Sequence, residues 1–326
     1  MNLDFGSIQN RCLAEFDVEQ LALELYEIHK KKNPIYRQYL DKIGYLNKTV
    51  HDFLQIPFLP IRFFKSHQIY INPKKEEKIF GSSGTSKTGL RSKHFISDIE
   101  FYHQVSFRGL NLFFPDLCSY HIIAYLPSYV ERPDSSLISM VNHLGTQVQS
   151  IRFVQNSEEM LLILDTFHSS EKVMLWGVSF ALWDLCEKME NSQFEGIIVE
   201  TGGMKSYGEE IVKQQLMQRI KTAFPKASLF SEYGMTELKS QAYASIDLIY
   251  QSIPTLKVTS RSVDDPFEKV ALGKRGVLQF IDFANVDTCP FIETEDLGIV
   301  RSISEFEILG RLQTADLRGC HLLMMD

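Results

Sequence analysis

Residues 196–205 read Gly-Ile-Ile-Val-Glu-Thr-Gly-Gly-Met-Lys, a short apolar run that stops at two adjacent glycines. The apolar residues suit a buried strand, the glycines suit a turn, and the region 208–223 beyond them has a helical pattern. A strand, a turn and a helix in this order are typical of one unit of a parallel sheet. The segment therefore predicts an α/β fold.

The same alternation extends to both sides of this segment. Helix-like stretches at 156–168 and 179–191 separate short apolar runs, which predicts a mostly parallel sheet with helices on both faces. The runs are Ile122–Leu126, Val173–Gly177, Ile197–Glu200 and Ala227–Phe230. After about residue 240 the pattern changes to short strands with hairpin-like breaks, which predicts a smaller β-rich part.

Composition excludes several classes of protein. The 326 residues include 34 Lys and Arg against 41 Asp and Glu, a net charge of −7, which argues against a nucleic-acid binder that relies on positive charge. No run approaches the roughly 18 apolar residues of a membrane helix, and the N-terminus lacks the pattern of a secretory signal. The five cysteines have no CxxC spacing. We therefore expect a cytoplasmic protein without a membrane span, with reduced thiols.

A loop rich in glycine and hydroxyl groups, Gly81-Ser82-Ser83-Gly84-Thr85-Ser86-Lys87-Thr88-Gly89, follows the helical N-terminal region. Its backbone N–H groups, hydroxyls and single ammonium suit phosphate oxygens. It is similar to a Walker A loop, except that Ser86 stands where the second glycine belongs. A flexible connector is the alternative interpretation.

Two further segments carry acidic and hydroxyl side chains next to predicted strands. Glu232–Glu237 reads Glu-Tyr-Gly-Met-Thr-Glu, and its Thr and Glu suit a nucleotide phosphate and a Mg²⁺ ion. Glu293–Gly298 contains Asp296, which suits the hydroxyls of a ribose, and Arg311 follows later in the chain. Taken singly, each segment also fits a solvated turn.

Together these segments resemble the adenylate-forming superfamily of acyl-CoA synthetases, nonribosomal adenylation domains and luciferases. The Ser/Thr/Gly/Lys loop, the Thr-Gly-Gly turn, the Tyr-Gly-Met-Thr-Glu segment and the later Asp and Gly-Arg occur in the same order over most of residues 79–319. Within the superfamily the chain is most similar to the acyl-protein synthetases of the LuxE type. The segments Pro57–Lys65, Phe80–Ser92, Tyr125–Pro133 and Glu200–Lys205 carry that likeness.

The resemblance implies a fold and a domain arrangement. We expect the large domain of an adenylate-forming enzyme, with mostly parallel sheets flanked by helices and a smaller β-rich subdomain. The predicted regions are an N-terminal helical segment at 1–78, a nucleotide-binding α/β core at 79–240 and a β-rich subdomain at 241–326. The chain ends at Asp326, soon after Arg311, so we expect the separate C-terminal small domain of longer relatives to be absent.

The resemblance also implies the site residues. The predicted catalytic residues are Cys320, Thr236 and Glu237, with Glu237 as the Mg²⁺ ligand. The predicted ATP-binding residues are Ser82, Ser83, Gly84, Thr85, Ser86, Lys87, Gly202, Gly203, Tyr233, Gly234, Asp296 and Arg311. This chain departs from the family pattern Thr-Gly-Asp, because Glu295 precedes Asp296. Cys320 is the cysteine that matches a C-terminal acyl carrier, and an inert, half-buried thiol is the alternative.

The function implied is an ATP- and Mg²⁺-dependent ligase. It activates a carboxylic acid, by analogy a fatty acid, as the acyl adenylate, and passes the acyl group to a protein thiol. An acyl-protein reductase or an acyltransferase is the implied partner. Two alternatives remain open: a ligase that acylates coenzyme A, a carrier protein or an amine, and a nucleotide-binding module without catalysis.

Overall fold

The structure, a computed structural model, describes residues 4–72, 76–83, 90–127, 131–164, 166–167, 171–189, 191–202 and 213–312. Its helices are α1 (Phe5–Cys12), α2 (Val18–Lys32), α3 (Pro34–Lys42), α4 (Phe63–Ser66), α5 (Ile99–Phe113), α6 (Ser136–Gly145), α7 (Ser157–Leu164), α8 (Ser179–Glu187) and α9 (Lys213–Ala223). Its strands are β1 (Leu59–Pro60), β2 (Lys78–Gly81), β3 (Lys93–Ile96), β4 (His121–Tyr125), β5 (Ser150–Val154), β6 (Val173–Val178), β7 (Ile197–Thr201), β8 (Ser228–Tyr233), β9 (Ala242–Ala244), β10 (Ile249–Ser252), β11 (Leu256–Arg261), β12 (Arg275–Asp282), β13 (Phe291–Ser302) and β14 (Glu305–Arg311).

The four predicted strands, together with β5, which the apolar runs did not predict, form a parallel sheet in the order β5-β4-β6-β7-β8. The apolar runs become strands because they are buried on both faces, as every residue of β6 is. Helices α8 and α9 pack against this part of the sheet. The predicted α/β architecture, with a mostly parallel sheet flanked by helices, is confirmed here.

The sheet continues beyond β8 with antiparallel strands. β9 pairs antiparallel with β8, and β10, β14, β13, β12 and β11 follow in that order. The last strands of the chain therefore lie beside the parallel strands in one sheet and bring β13 and β14 near the ends of β7 and β8. The boundaries at residues 79 and 241 stay predictions.

Prolines determine where the N-terminal helices begin and end and which part of the following connector is extended. α2 ends before Asn33, whose side chain accepts a hydrogen bond from the Tyr36 amide, and Pro34 begins α3. The two prolines in the apolar segment 56–65 predict an extended connector, and this prediction holds for β1, which pairs with β13. It is wrong for α4, because no proline follows Pro60 in this segment and the buried Phe64 anchors a helical turn.

Among the described residues, none of the helices has both the length and the apolar character that crossing a bilayer requires.

Candidate functional site

The glycine turns after β7 and β8 lie at one edge of the sheet. Thr201 at the end of β7 is opposite Glu232 in β8, and Gly234 follows β8 directly. Gly202 has a φ of +87°, a conformation that favours glycine. Because the carboxyl ends of parallel strands share an edge, the two predicted segments come together. Gly203 lies outside the described residues.

Three predicted ATP-binding residues form a connected group at this edge. The Tyr233 hydroxyl donates to Asp296 Oδ2 at 2.8 Å, and Arg311 Nε donates to Asp296 Oδ1 at 2.8 Å. Burial and the negative charge of Asp296 hold the pKa of Tyr233 well above its usual value, so the phenol keeps its proton. Each carboxylate oxygen of Asp296 retains a lone pair that can accept a hydrogen bond from a ribose hydroxyl.

The two strands that flank the glycine-rich loop form a short hairpin. β2 and β3 pair antiparallel, with Gly81 opposite Lys93. At the base of the loop the Ser82 amide donates to the Ser92 carbonyl, and the Ser92 amide donates to the Ser82 hydroxyl, both at 3.1 Å. Ser83 is exposed. The predicted loop residues Gly84, Thr85, Ser86 and Lys87 lie outside the described residues.

Two arginines and an aspartate brace the base of this hairpin. Arg91 donates to the Ser82 carbonyl and to the Asp134 carboxylate, each at 2.6 Å. Arg132 donates to the Gly81 carbonyl at 3.1 Å, and the Gly81 amide donates to the Asp134 carbonyl at 2.8 Å. A Cβ on Gly81 would collide with the Asp134 carboxylate, so the close approach requires glycine here.

Hydrogen bonds from two distant side chains hold the backbone carbonyl groups of Thr236 and Glu237. His94 Nδ1 donates to the Thr236 carbonyl at 2.7 Å, and the Asn285 amide donates to the Glu237 carbonyl at 2.8 Å. Burial, with the nearby Lys239 charge, lowers the pKa of His94 to about 4. The imidazole is therefore neutral with its proton on Nδ1, and Nε2 accepts from the Thr288 hydroxyl at 3.2 Å.

Residues from several separate segments act on the carboxyl group of Glu237. Its side chain is buried, and burial raises the pKa of its carboxyl group. A hydrogen bond with Ser92 and the positive charges of Lys65 and Arg311 act in the opposite direction. Residues at the base of the glycine-rich loop, on helix α4 and on strand β14 thus all act on one carboxyl group.

A buried ionic network fixes the segment that follows Glu237. Lys239 and Asp287 form an ion pair with both side chains fully buried, and Asp287 also accepts from the Ser97 amide at 3.1 Å. Asp282 Oδ2 accepts from the Lys239 and Ser240 amides at 2.7 and 3.1 Å. Burial alone would raise the pKa of Asp287, but the Lys239 charge outweighs burial and lowers it. These contacts hold the loop in one conformation.

A second buried network supports the Gly202 turn. Lys213 Nζ donates to both oxygens of Glu200 at 2.9 and 2.7 Å and to the Gly202 carbonyl at 3.2 Å. Ser231 donates to Glu200 at 2.7 Å and contacts the Tyr250 hydroxyl at 2.8 Å. The ion pair ties the start of α9 to the end of β7.

The predicted acyl carrier Cys320 lies outside the described residues. Among the described cysteines, Cys12, Cys186 and Cys289 are buried, and burial raises the pKa of each thiol to about 12. Widely spaced cysteines without a CxxC motif are expected to be small core residues, and these three are buried as expected. Cys118 is exposed, so that expectation is wrong for it: the short 3-10 turn that contains it buries Leu117 instead.

One group of metal-ligating side chains lies on α5 and α6, away from the motif residues. The ligand atoms of Glu100, His103 and His143 lie within 4.8 Å of one another. The two rings are stacked, with centroids 4.4 Å apart and planes at 12°. One ion cannot lie in the planes of both stacked rings, and His103 Nε2 already contacts Ser139 at 3.0 Å. The arrangement therefore fits ring stacking.

Sequence reasoning missed the residues that position the motifs. Asp134 and Asp287 lie in segments without predicted chemistry. Lys65, Arg91 and His94 lie in or beside predicted segments, but the motifs assign no role to them. The available signal was weak: Arg91 ends the glycine-rich loop, and Lys65 ends the apolar connector.

Comparisons with known proteins give two kinds of likeness. A family model described as "Acyl-protein synthetase, LuxE" matches residues 117–326, more than half of the chain. A long-chain-fatty-acid–luciferin-component ligase of Aliivibrio fischeri is 24% identical over 94% of this chain and 88% of its own length. The protein of the same name from Vibrio harveyi is 22% identical over 94% of this chain and 86% of its own.

Solved structures of adenylate-forming ligases have a similar fold. An open conformation of 2-hydroxyisobutyryl-CoA ligase, in complex with 2-HIB-AMP and CoA, aligns with a TM-score of 0.67 at 14% identity over 90% of this chain and 74% of that chain. An ATP-bound RpMatB-BxBclM chimera aligns with a TM-score of 0.51 at 13% identity, over 72% of this chain and 47% of that one. At these identities the likeness concerns the fold alone.

Proposed function

Because the chain belongs to the LuxE family of acyl-protein synthetases, we propose that it uses ATP to activate a long-chain fatty acid and transfers the acyl group to Cys320. Membership of the family confirms the resemblance predicted from the motifs, and with it the prediction of an AMP-forming ligase. The choice of a long-chain acid follows the name that the two relatives share, long-chain-fatty-acid–luciferin-component ligase.

The observation that carries the proposal is the environment of Glu237. Its buried carboxyl group is hydrogen-bonded to Ser92 at the base of the glycine-rich loop, and the positive charges of Lys65 on α4 and Arg311 on β14 act on it. Phosphoryl chemistry needs opposite charges around dispersed negative charge, with the reacting groups aligned. Glu237, Lys65 and Arg311 supply a metal-binding carboxylate and two cations at one place.

Family membership and these positions support the following roles. A carboxylate oxygen of the acid attacks the α-phosphorus of ATP, the bond between the α-phosphorus and the α,β-bridging oxygen breaks, and pyrophosphate leaves. Thr236 and Glu237 lie nearest the α-phosphate, and Asp296, held by Tyr233 and Arg311, accepts from the ribose. The turns at Gly202–Gly203 and Gly234 line the nucleotide. The loop residues Ser82–Lys87 hold the leaving phosphates.

A magnesium ion suits this donor set, because Mg²⁺ binds through one or two carboxylates and the phosphates of a substrate. Glu237 would hold the ion, which neutralises phosphate charge when bound. In the second half-reaction the Cys320 thiolate attacks the acyl carbonyl, a thioester forms and AMP leaves. An acyl-protein reductase or an acyltransferase then takes the acyl group from the thioester.

Intact-mass measurement after incubation with ATP, Mg²⁺ and a long-chain fatty acid tests both half-reactions. We expect a mass increase equal to one acyl group, removed by hydroxylamine, together with acid-dependent release of pyrophosphate. The Cys320→Ser variant should lose the adduct and keep pyrophosphate release. Cys118→Ser is the matched control, because Cys118 is an exposed cysteine outside the proposed site.

Other outcomes would contradict defined parts of the proposal. Pyrophosphate release without any protein adduct would send the acyl group to coenzyme A, a carrier protein or an amine. An adduct that persists in Cys320→Ser would move the acyl group to another residue. ATP binding without acid-dependent pyrophosphate release would leave a nucleotide-binding module and overturn the ligase.

A further inference from the structure

Three buried polar side chains lie together on the face of the sheet that α5 covers. Glu232 in β8 is directly opposite Tyr243 in β9, and Gln241 precedes Tyr243 by two residues, so all three point to the same side. Their exposed fractions are 6%, 1% and 4%. We call Glu232, Gln241 and Tyr243 the polar cluster.

Each member of the polar cluster has one oxygen that no described residue satisfies. These atoms are Glu232 Oε2, Gln241 Oε1 and the Tyr243 hydroxyl. The Gln241 amide nitrogen is used, because it donates to the Lys239 carbonyl at 3.1 Å. Buried polar atoms are rarely left without a partner, since each one costs free energy of desolvation. Three such atoms in one place indicate that the cluster binds a polar group.

The polar cluster borders the candidate site. An added Cβ on Gly234 would lie 3.1 Å from Glu232 Oε1 and 3.7 Å from Gln241 Cγ, so the glycine turn forms one wall. Thr201 of β7, which is paired with Glu232 of β8, borders the polar cluster on another side. Thr236, where we propose that the acid reacts, follows Gly234 by two residues. A ligand group at the cluster is therefore close to the reacting carboxyl group.

The chemistry of the cluster selects a hydrogen-bond donor. Carboxylate and amide oxygens only accept when the carboxylate is ionised, and a phenol both donates and accepts. Burial raises the pKa of Glu232 to about 7, with the Glu200 charge acting in the same direction and Thr201 and Lys213 opposing it. The ionised, accepting form is thus available at neutral pH. A plain alkyl chain satisfies none of the three oxygens.

We propose that the polar cluster binds a hydroxyl or ammonium substituent near the carboxyl group of the acid, so that the substrate class is a hydroxy or amino fatty acid. The inference rests on the proposed function, because it names the substrate of that same site. Glu232 and Gln241 accept from the substituent, and Tyr243 contacts its second side.

The test compares acids of equal length: dodecanoate, 2-hydroxydodecanoate, 3-hydroxydodecanoate and 3-aminododecanoate. With the wild-type chain we expect kcat/KM for acid-dependent pyrophosphate release to be at least about tenfold higher for one substituted acid than for dodecanoate. Whichever substituted acid wins names the substituent. In Tyr243→Phe and in Glu232→Gln the preference should fall severalfold, because kcat/KM falls for the substituted acid and stays unchanged for dodecanoate.

Tyr26→Phe is the matched control. Tyr26 also has a buried hydroxyl without a described hydrogen-bond partner, but it packs with Tyr36 and Phe291, outside the polar cluster. The preference of the Tyr26→Phe variant for a substituted acid over dodecanoate should equal that of the wild type. Equal or better use of dodecanoate by the wild type would overturn the inference, as would a preference unchanged in both cluster variants.

Failure of the proposed function has a different signature. If no acid releases pyrophosphate, the ligase proposal fails, and calorimetric binding of 3-hydroxydodecanoate, 3-aminododecanoate and dodecanoate still decides the inference. Tighter binding of a substituted acid that is lost in Tyr243→Phe would support the polar cluster as its site. Equal binding of all three acids would overturn it.

Discussion

The two faces of strand β8 differ in how their polar atoms are satisfied. On one face, Ser231 contacts Glu200 and Tyr250, and Tyr233 donates to Asp296. On the other face, Glu232 and the opposite Tyr243 each keep an oxygen without a described partner. Because successive side chains of a strand point to opposite faces, one strand can serve as scaffold on one side and as a binding surface on the other.

The largest expected effect comes from breaking the satisfied face. Lys213→Met leaves the fully buried Glu200 carboxylate without its cation. Removing one partner of a buried ion pair is strongly destabilising, and we expect a loss of about 3 kcal/mol in the free energy of unfolding. Urea denaturation measures it. The double variant Lys213→Met, Glu200→Gln should recover most of the loss, and a single-variant loss near zero would contradict the network's role.

The next effect concerns pH and the unsatisfied face. Burial raises the pKa of Glu232 from 4.5 to about 7, so the folded chain holds this proton more tightly than the unfolded chain does. The contribution of protonated Glu232 to the free energy of unfolding is complete below pH 4.5 and is lost as pH rises through about 7. At 1.36 kcal/mol per pKa unit, the loss is roughly 3 kcal/mol.

The measurement is the free energy of unfolding at pH 5 and pH 8 for the wild type and Glu232→Gln. The difference between the two chains isolates Glu232, because Glu237, Asp282 and Asp287 titrate in both. We expect the wild type to lose more stability than the variant on going to pH 8. Equal losses would show that Glu232 ionises without cost and would remove the contrast between the faces.

A smaller effect is expected at Asp296, which Tyr233 contacts from the satisfied face and to which we propose that the ribose binds. Tyr233→Phe removes the hydroxyl that donates to Asp296, and Arg311 remains as the second donor. A lost hydrogen bond of about 1 kcal/mol corresponds to a rise of about fivefold in the KM for ATP. Initial rates of pyrophosphate release measure it, and we expect kcat to change less. An unchanged KM would remove Asp296 from ribose binding.

The sequence predicted those features that depend on neighbouring residues. The apolar runs became β4, β6, β7 and β8 with ends shifted by a few residues, because burial on both faces leaves a continuous apolar pattern. The Thr236–Glu237 segment could be singled out from the sequence because its hydroxyl and carboxyl groups lie within six residues of one turn. Its role in the site stays a prediction.

Contacts between distant segments could not be predicted in this way. His94 supports Thr236, and Asp134 binds Arg91 across the hairpin, yet neither pair has a spacing that periodicity detects. The contrast between the faces of β8 also depends on β9, whose register places Tyr243 beside Glu232. Register follows from tertiary packing, so a polar residue in a strand does not by itself show whether it is satisfied.

The smallest effect is the sharpest comparison, because it makes the same change on each face. Tyr250→Phe removes a hydroxyl that contacts Ser231 at 2.8 Å, whereas Tyr243→Phe removes one that no described residue contacts. Without substrate we expect Tyr250→Phe to lose about 1 kcal/mol and Tyr243→Phe to stay within about 0.5 kcal/mol of the wild type, since deleting an unsatisfied group also deletes its desolvation cost. Urea denaturation of both variants measures the difference. If Tyr243→Phe were the more destabilised of the two, its hydroxyl would have a structural partner, and the α5 side of the strand would be scaffold as well.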